Sequence, residues 1–278
     1  MRPIHYAVLA IIFWSTVASA FKLTLSRLDP VSMLLYASLT STIIFLGANL
    51  REGKKFSIRK NIYSAFLGFI NPFLYYLVLF NAYSLLPAQE AQALNYTWPI
   101  ILVVFSSAFL GQPLTIKEFF GVIVGFLGAL VIGTHGNLSS LSFANPLGDA
   151  LALSSALVWA MYWIFNLRDP RKAEEKMFWN FFFGSLYILT LGVIRGIKFD
   201  PLGVLGAVYI GTFEMGLTFL LWLKALEREE AGKVASLVYL TPVLSLVFIS
   251  IVVGEKILKS TLLGLALILL GIMLSRRG

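Results

Sequence analysis

Two stretches of the chain align without a gap: AQEAQALNYTWPIILVVFSSAFLG at residues 88–111 and AGKVASLVYLTPVLSLVFISIVVG at residues 231–254. The offset is 143 positions (231 − 88), and it holds beyond both ends of these stretches. The residues that recur with this offset are Ala82, Ala88, Leu94, Tyr96, Pro99, Phe105, Gly111, Gly121 and Gly128, repeated as Ala225, Ala231, Leu237, Tyr239, Pro242, Phe248, Gly254, Gly264 and Gly271. Trp14 and Trp159 stand 145 apart (159 − 14), which a small loop insertion explains. The chain is therefore a duplicated unit.

The composition around this repeat indicates an integral membrane protein. Of 278 residues, 58% are hydrophobic and 13% charged, against about 45–50% and about 25% in soluble domains. The apolar residues form runs of about twenty, enough to span a bilayer as helices and unlike the alternating strands of membrane barrels. The absence of cysteine excludes disulfides and thiolate chemistry. The net charge of +8 comes from residues between the runs, which fits membrane orientation and not nucleic-acid binding.

The runs predict an all-α membrane protein with ten transmembrane helices. Their approximate bounds are 4–24, 31–50, 61–82, 88–110, 115–133, 147–167, 177–194, 202–223, 232–253 and 260–275. Arg2 and the small residues at 18–20 resemble a signal peptide, but the first run has the length of a span and the repeat needs it as a permanent helix. With both termini in the cytoplasm, 16 of the 22 Lys and Arg residues fall on the inner side.

Each copy of the repeat holds five predicted helices, at residues 1–134 and 147–278. Because five is odd, the second copy enters the membrane from the opposite side, and the two halves are inverted. Inverted halves provide two nearly equivalent packings, open to opposite sides, with a binding site near the midplane. Pro99 and Pro242 each remove a backbone hydrogen bond within a helix and are predicted hinges. The repeat thus predicts a transporter that works by alternating access.

These features resemble the drug/metabolite transporter superfamily, in its ten-helix EamA branch. The resemblance rests on Leu94-x-Tyr96-x-x-Pro99 with Gly111, Leu237-x-Tyr239-x-x-Pro242 with Gly254-Glu255-Lys256, Trp14, Trp159, and Trp222-x-Lys224-Ala225-Leu226. It covers essentially the whole chain. The sequence departs from the family at Tyr36, where an arginine is usual, and at Gln112, where an acid is usual. These departures argue against copying a substrate from any relative.

The resemblance implies a multi-pass plasma-membrane protein that moves a small metabolite, with amino-acid export as the first expectation. It implies no cofactor, no metal, no enzymatic activity and no partner besides the small-molecule substrate and the lipid bilayer. A channel for small solutes is the alternative, although the sequence lacks the rings of charge that conduction normally uses. An intramembrane hydrolase would need a nucleophile motif or paired deep acids, and the sequence contains neither. Proton coupling, transport direction and oligomeric state stay open.

Glu214 is the sharpest candidate for a substrate-binding residue. A charge at the centre of a membrane helix costs about 2.5–3.5 kcal/mol, so it needs a reason to be there. Glu214 lies near the middle of the eighth predicted helix, on one face with Gly211, Thr218 and Trp222. Its carboxylate could bind a substrate ammonium or carry a proton. The alternative is a structural acid satisfied by hydrogen bonds between helices.

The fourth predicted helix presents a polar stripe. The expected substrate-binding residues there are Gln92, Asn95, Tyr96 and Trp98. Amides and a phenol can hold the polar ends of a substrate while a tryptophan supplies an apolar wall. Gln89 and Glu90, at the mouth of this helix, are expected to be solvated.

Further candidates for the cavity wall come from the other helices and the repeat. They are Trp14 on the first helix, Asn71 and Tyr75 on the third, Trp159 and Tyr162 on the sixth, and Tyr239, the repeat partner of Tyr96. The alternatives are a kink at Asn71-Pro72 and an interfacial position for the aromatic residues, which is favoured for Trp163. Lys22 is expected to reach the outer surface, and Asp149 to cap the sixth helix.

Overall fold

All regular structure in the described part of the chain is helical, which confirms the predicted all-α class. The computed structural model describes residues 3–51, 61–110, 114–137, 143–226 and 240–275. The thirteen α-helices of these ranges are α1 (Pro3–Leu25), α2 (Pro30–Arg51), α3 (Tyr63–Gly68), α4 (Tyr75–Leu85), α5 (Ala88–Asn95), α6 (Trp98–Leu110), α7 (Ile116–Gly133), α8 (Pro146–Leu167), α9 (Ala173–Arg195), α10 (Pro201–Ile210), α11 (Leu217–Leu226), α12 (Leu240–Phe248) and α13 (Lys259–Ser275). Two π-helical turns join consecutive helices, π1 (Phe69–Leu74) and π2 (Gly211–Gly216), and a third, π3 (Ile249–Val253), extends the end of α12.

Seven helical segments of the described chain are long and apolar enough to cross a membrane. They are His5–Leu25, Pro30–Arg51, Tyr63–Leu85, Ile116–Gly133, Pro146–Asn166, Ala173–Arg195 and Pro201–Trp222. Two shorter apolar helices cover Leu240–Val253 and Lys259–Leu274. The chain is therefore a multi-pass membrane protein, and seven of the ten predicted spans are found at full length.

The remaining predicted span, over residues 88–110, is interrupted. α5 ends at Asn95 and α6 begins at Trp98, with a turn at Tyr96 and Thr97 between them. Pro99 has no N–H to bond with the carbonyl four residues earlier, so the helix loses the bond that would join these turns. The interruption places the polar side chains around Asn95 next to a bend.

The third predicted helix bends at the expected place. Asn71 has a non-helical backbone, with φ −145° and ψ 121°, inside the π1 turn. The ring of Pro72 disfavours the helical conformation of the residue before it, and this explains the bend. The second π turn, π2, contains no proline. It starts 142 positions after π1 (211 − 69), and Glu214 within it lies 143 positions after Asn71 (214 − 71).

Glycines allow the closest helix contacts, and two of these contacts are related by the repeat. Adding 143 to Gly121 and Gly128 gives Gly264 and Gly271, so the contact of Gly128 with Gly264 corresponds to the contact of Gly271 with Gly121. A β-carbon at Gly128 of α7 would lie 2.5 Å from the Gly264 carbonyl oxygen of α13, and one at Gly271 would lie 2.6 Å from the Gly121 carbonyl oxygen. Because Gly121 pairs with Gly271 and Gly128 with Gly264, α7 and α13 run antiparallel. Backbone contact of this kind requires the absence of side chains on both helices.

The same relation holds for contacts on α2 and α9. A β-carbon at Gly68 of α3 would meet the Asn180 carbonyl of α9, and one at Gly211 would meet the Ala37 carbonyl of α2. Ala37 and Asn180 are themselves 143 apart (180 − 37). The segment around Gly68 therefore packs against α9, and the repeat-related segment around Gly211 packs against α2.

A network around Arg171 fixes the short loop between α8 and α9. Its guanidinium donates to both carboxylate oxygens of Asp169, to Asn61 and to Ser64. Burial disfavours the charge of Asp169, but the hydrogen bonds from Arg171 prevail and hold the pKa of this carboxyl below its ordinary value. The network joins the chain segment before α3 to the loop that starts α9.

Candidate functional site

A cavity of about 390 Å³ lies between the helices of the two halves. Its walls come from α1, α4, α5, α6, α8, π2 and α11. The described residues that line it are Trp14, Val17, Ala18, Phe21, Tyr75, Leu79, Tyr83, Gln92, Asn95, Tyr96, Trp98, Pro99, Leu102, Trp159, Trp163, Glu214, Phe219 and Trp222. This volume suits a small organic molecule.

One side of the cavity is a stack of aromatic rings centred on Trp159. Its indole stacks on Tyr75 with the ring centroids 4.6 Å apart and on Tyr162 at 5.5 Å. Trp98 meets Trp159 edge to face at 6.5 Å, and Trp163 does so at 5.7 Å. Stacked and edge-on pairs hold each ring in one orientation, so this wall is rigid and apolar.

The facing side of the cavity carries Trp14, the repeat partner of Trp159. Its ring centroid lies 5.3 Å from Trp222 and 5.9 Å from Phe219. Phe219 in turn lies 6.1 Å from Trp159, so one phenyl ring joins the two repeat-related indoles. The cavity is thus lined by aromatic groups from both halves.

Glu214 supplies the carboxylate of the cavity wall, the one acidic side chain among the described lining residues. The hydroxyl of Tyr76 donates to its Oε1 at 3.2 Å, and the indole N–H of Trp14 donates to its backbone oxygen at 3.4 Å. One hydrogen bond leaves most of the acceptor capacity of a carboxylate unused. Glu214 can therefore accept hydrogen bonds from a cationic group in the cavity.

The polar stripe predicted on residues 92–98 also lines the cavity. The amide nitrogen of Asn95 donates to the Ser155 hydroxyl at 2.8 Å, and the Tyr75 hydroxyl lies 3.5 Å from its amide oxygen. Gln92 is buried, and its amide oxygen has no hydrogen-bond partner in the described structure. An unsatisfied buried acceptor is destabilising unless a ligand or water binds it.

Several expected residues lie away from the cavity wall. Tyr162 is fully buried behind Trp159, and its hydroxyl accepts from the Asn180 amide at 3.2 Å. Asn71 is fully buried in the π1 turn. Pro242 lies near the described start of α12 and is not among the lining residues, and Tyr239 is outside the described residues. Substrate contact by Tyr162 or Asn71 would need a rearrangement of the wall.

Three expectations from the sequence were wrong, those for Gln89, Glu90 and Asp149. Gln89 and Glu90 are buried and not solvated, since Gln89 bonds to the segment around Lys256 and His135 pairs with Glu90. Trp163 lines the cavity, which is the less favoured of its two sequence interpretations. The Lys22 ammonium donates to two backbone carbonyls at the end of α4. Asp149 does not cap α8, because Asn145 accepts from Gly148 in that role.

The apolar part of the lining was not predicted from the sequence. Val17, Ala18 and Phe21 follow Trp14 at helical spacing, and Phe219 precedes Trp222 by three residues. Extending each stripe by one helical turn from the two tryptophans would have found these positions.

Comparison with known proteins gives consistent similarities over the whole chain. The sequence profile of the EamA-like transporter family matches residues 1–134 and 146–277. The "Uncharacterized transporter YvbV" of Bacillus subtilis is 29% identical over 197 residues, 68% of this chain and 63% of that protein. The "Aromatic amino acid exporter YddG" of Ancylobacter novellus is 28% identical over 248 residues, 85% of this chain and 83% of that protein. A protein crystal structure with 22% identity matches the fold with a TM-score of 0.68, over 98% of this chain and 94% of its own.

Proposed function

The chain belongs to the EamA-like transporter family, and on this basis we propose that it exports an amino acid or a related amine by alternating access. It is a multi-pass transporter of the plasma membrane whose substrate is a small molecule. The amino-acid class, the direction and the mechanism are the proposal. The "Aromatic amino acid exporter" among its relatives supports the substrate class, although at 28% identity.

The combination of Glu214 with an aromatic wall is the observation that carries this proposal. A substrate ammonium near Glu214 gains a charge-assisted hydrogen bond, and the indole face of Trp14 attracts cations as well. The amides of Gln92 and Asn95 offer donors for a carboxylate at the other end of the substrate. The apolar rings suit a hydrophobic side chain between these ends.

The proposed mechanism uses ten helices in two inverted halves, residues 1–134 and 147–278. The repeat relation between the contacts Gly128–Gly264 and Gly121–Gly271 supports this arrangement, because a two-fold axis perpendicular to antiparallel helices produces that pattern. The π1 and π2 turns fall at repeat-related positions and are natural places for the halves to flex. The bend before Pro99 adds a third such place.

Reporter tags test the orientation of the halves. A tag after Lys54 and a tag at the C-terminus are expected to report a cytoplasmic position, and one between Gly133 and Pro146 an external position. The reason is the excess of Lys and Arg on the segments assigned to the inner side. Phosphatase and fluorescent-protein fusions in intact cells measure this, and a reversed sign at any site contradicts the inverted arrangement.

Alanine at Asn95 or Tyr96 is expected to reduce liposome uptake about tenfold while thermal stability stays near that of the wild type, because each removes one polar contact of the cavity wall. Asn95 also bonds to Ser155. Ser155→Ala removes the same hydrogen bond without changing a lining residue, so it is the matched control and should keep its flux. Equal losses of stability in the three variants would make Asn95 a packing residue.

Counterflow distinguishes the carrier from a channel. Purified protein in liposomes loaded with an unlabelled aromatic amino acid is expected to accelerate entry of the same labelled compound, with saturation at high concentration. A carrier exchanges substrate because its site is exposed to one side at a time. A flux that rises linearly with concentration and shows no exchange would favour the channel.

A further inference from the structure

We propose that Glu90, His135 and Asp149 form a proton-binding site that holds one end of the cavity closed, and that this end opens when the site loses its proton. The proposal rests on the alternating-access function above, because it identifies what operates one of the two openings. The site is separate from the cavity and from Glu214.

The end of the cavity next to this site is closed by a hydrogen-bonded latch between the two halves. Glu255 accepts from the backbone N–H groups of Ala88 at 2.8 Å and Gln89 at 3.3 Å. The Gln89 amide donates to the Lys256 carbonyl at 3.0 Å and accepts from the Leu258 N–H at 2.8 Å. A carboxylate at a helix N-terminus is a favourable cap, so the latch fixes the start of α5.

The latch is one helical turn from the cavity. Gln92 lines the cavity, and Gln89 lies three residues before it on the same helix. Lys22 joins α1 to the end of α4 beside the latch, where its ammonium donates to the carbonyls of Tyr83 at 2.9 Å and Leu86 at 2.6 Å. Separation of α5 from the latch would therefore open the cavity at this end.

The proposed proton site includes Glu90, the residue of α5 that follows Gln89. The His135 Nε2 is 2.7 Å from a carboxylate oxygen of Glu90, whose residue is 1% exposed. Asp149 is 5% exposed, and neither of its carboxylate oxygens has a hydrogen-bond partner among the described residues. Its Oδ2 would lie 3.4 Å from a β-carbon at Gly133, so it faces the turn that carries His135.

The charges around this site favour a bound proton. The titratable groups that face it from the packed elements are Glu90, Asp149, Glu255, Lys22 and His135. With one proton bound among Glu90, His135 and Asp149, the group carries one net negative charge, and loss of that proton makes it two. Since a buried carboxylate without a partner is strongly destabilising, the closed packing favours the protonated form.

Protons can reach the site without passing through the cavity that Glu214 lines. A second cavity, of about 260 Å³, is lined by Thr134, His135, Asn137, Phe143 and Ala144. The His135 side chain is 41% exposed while Glu90 and Asp149 are covered. The imidazole thus lies between water and the two buried acids, as a group that passes protons would. Closure with a proton bound and opening without it would couple proton movement to the transport cycle.

Thiol labelling tests the proposal in a chain that contains no cysteine. Ala18→Cys places one thiol on the cavity wall, and Ser26→Cys at an exposed position corrects for the pH dependence of the thiol itself. With a membrane-impermeant maleimide outside intact cells, corrected labelling of Ala18→Cys is expected to rise about fivefold between about pH 5.5 and about pH 8.

Three variants in the Ala18→Cys background have expected effects of opposite sign. Glu90→Gln and Asp149→Asn each remove one buried negative charge, so labelling should stay low and change less than about twofold over this pH range. Glu255→Gln weakens the cap on α5, so labelling should rise at every pH. Glu175→Gln, at the start of α9 away from the site, is the matched control and should keep the wild-type profile.

A flat wild-type profile, or an unchanged profile in both Glu90→Gln and Asp149→Asn, would overturn the proposal. Liposome counterflow of the same variants separates this failure from failure of the transport function. Saturable exchange together with an unchanged pH profile leaves the transporter and removes the proton site. If one acid variant does not fold, the other and Glu255→Gln still decide the outcome.

Discussion

Replacement of Glu214 by glutamine is expected to lower flux in liposomes by about tenfold or more, equivalent to about 1.4 kcal/mol. Glutamine keeps the shape of the side chain and still accepts a hydrogen bond from the Tyr76 hydroxyl. It removes the negative charge that a substrate ammonium or a transported proton would need. The surrounding wall is mostly aromatic, so the described lining offers no second carboxylate to compensate.

The two functional roles of Glu214 differ in their pH dependence. A proton carrier loses pH-driven accumulation but keeps counter-exchange, whereas an ammonium ligand loses both. Glu175→Gln changes an acid outside the cavity in the same way and should leave flux unaltered. Wild-type flux of Glu214→Gln from about pH 5 to about pH 8 would remove this residue from the mechanism and leave the stripe around Asn95 as the candidate.

Gly271→Ala is expected to destabilise the protein by about 1–3 kcal/mol, and Gly271→Val by more. The added methyl would lie 2.6 Å from the Gly121 carbonyl oxygen and 2.7 Å from the Gly125 amide nitrogen. Both are backbone atoms, which cannot turn aside as a flexible side chain can. The contact can be relieved only by separating α7 from α13.

Thermal unfolding in detergent measures this effect, with Gly47→Ala as the control. A β-carbon at Gly47 meets nothing within 4 Å, and alanine favours the helix, so its stability should be unchanged or slightly higher. Gly128→Ala on the facing helix should match Gly271→Ala, because the two contacts are equivalent under the repeat. A wild-type melting temperature for both would contradict the close packing of α7 and α13.

Most of the helices and the polar part of the cavity wall were predictable because both follow from local spacing. Runs of about twenty apolar residues identify spans, and the stripe from Gln92 to Trp98 predicts one face of a helix. The proline bends were predictable as well, since Pro72 and Pro99 act on the residues just before them. The π2 turn has no proline and could be expected only from its repeat relation to π1.

The polar residues near helix ends were not predictable from spacing. Glu90 and Asp149 occupy first turns, where acids are usually solvated or cap the helix. Their burial depends on His135 and the turn after α7, which lie far away in the sequence. Lys22 likewise donates to two backbone carbonyls at the end of α4. Such positions depend on which neighbour covers a helix end, which a one-dimensional pattern does not contain.

The direction in which the Glu214 side chain points depends on how the helix is wound at the π2 turn. A π turn holds one residue more than an α turn, and one residue corresponds to a rotation of about 100° around the axis. If that extra residue moved to the far side of Glu214, the carboxylate would swing about 100° away from Tyr76 and out of the aromatic wall. A change of register within six residues, Gly211–Gly216, would be enough to offer or withdraw the charge.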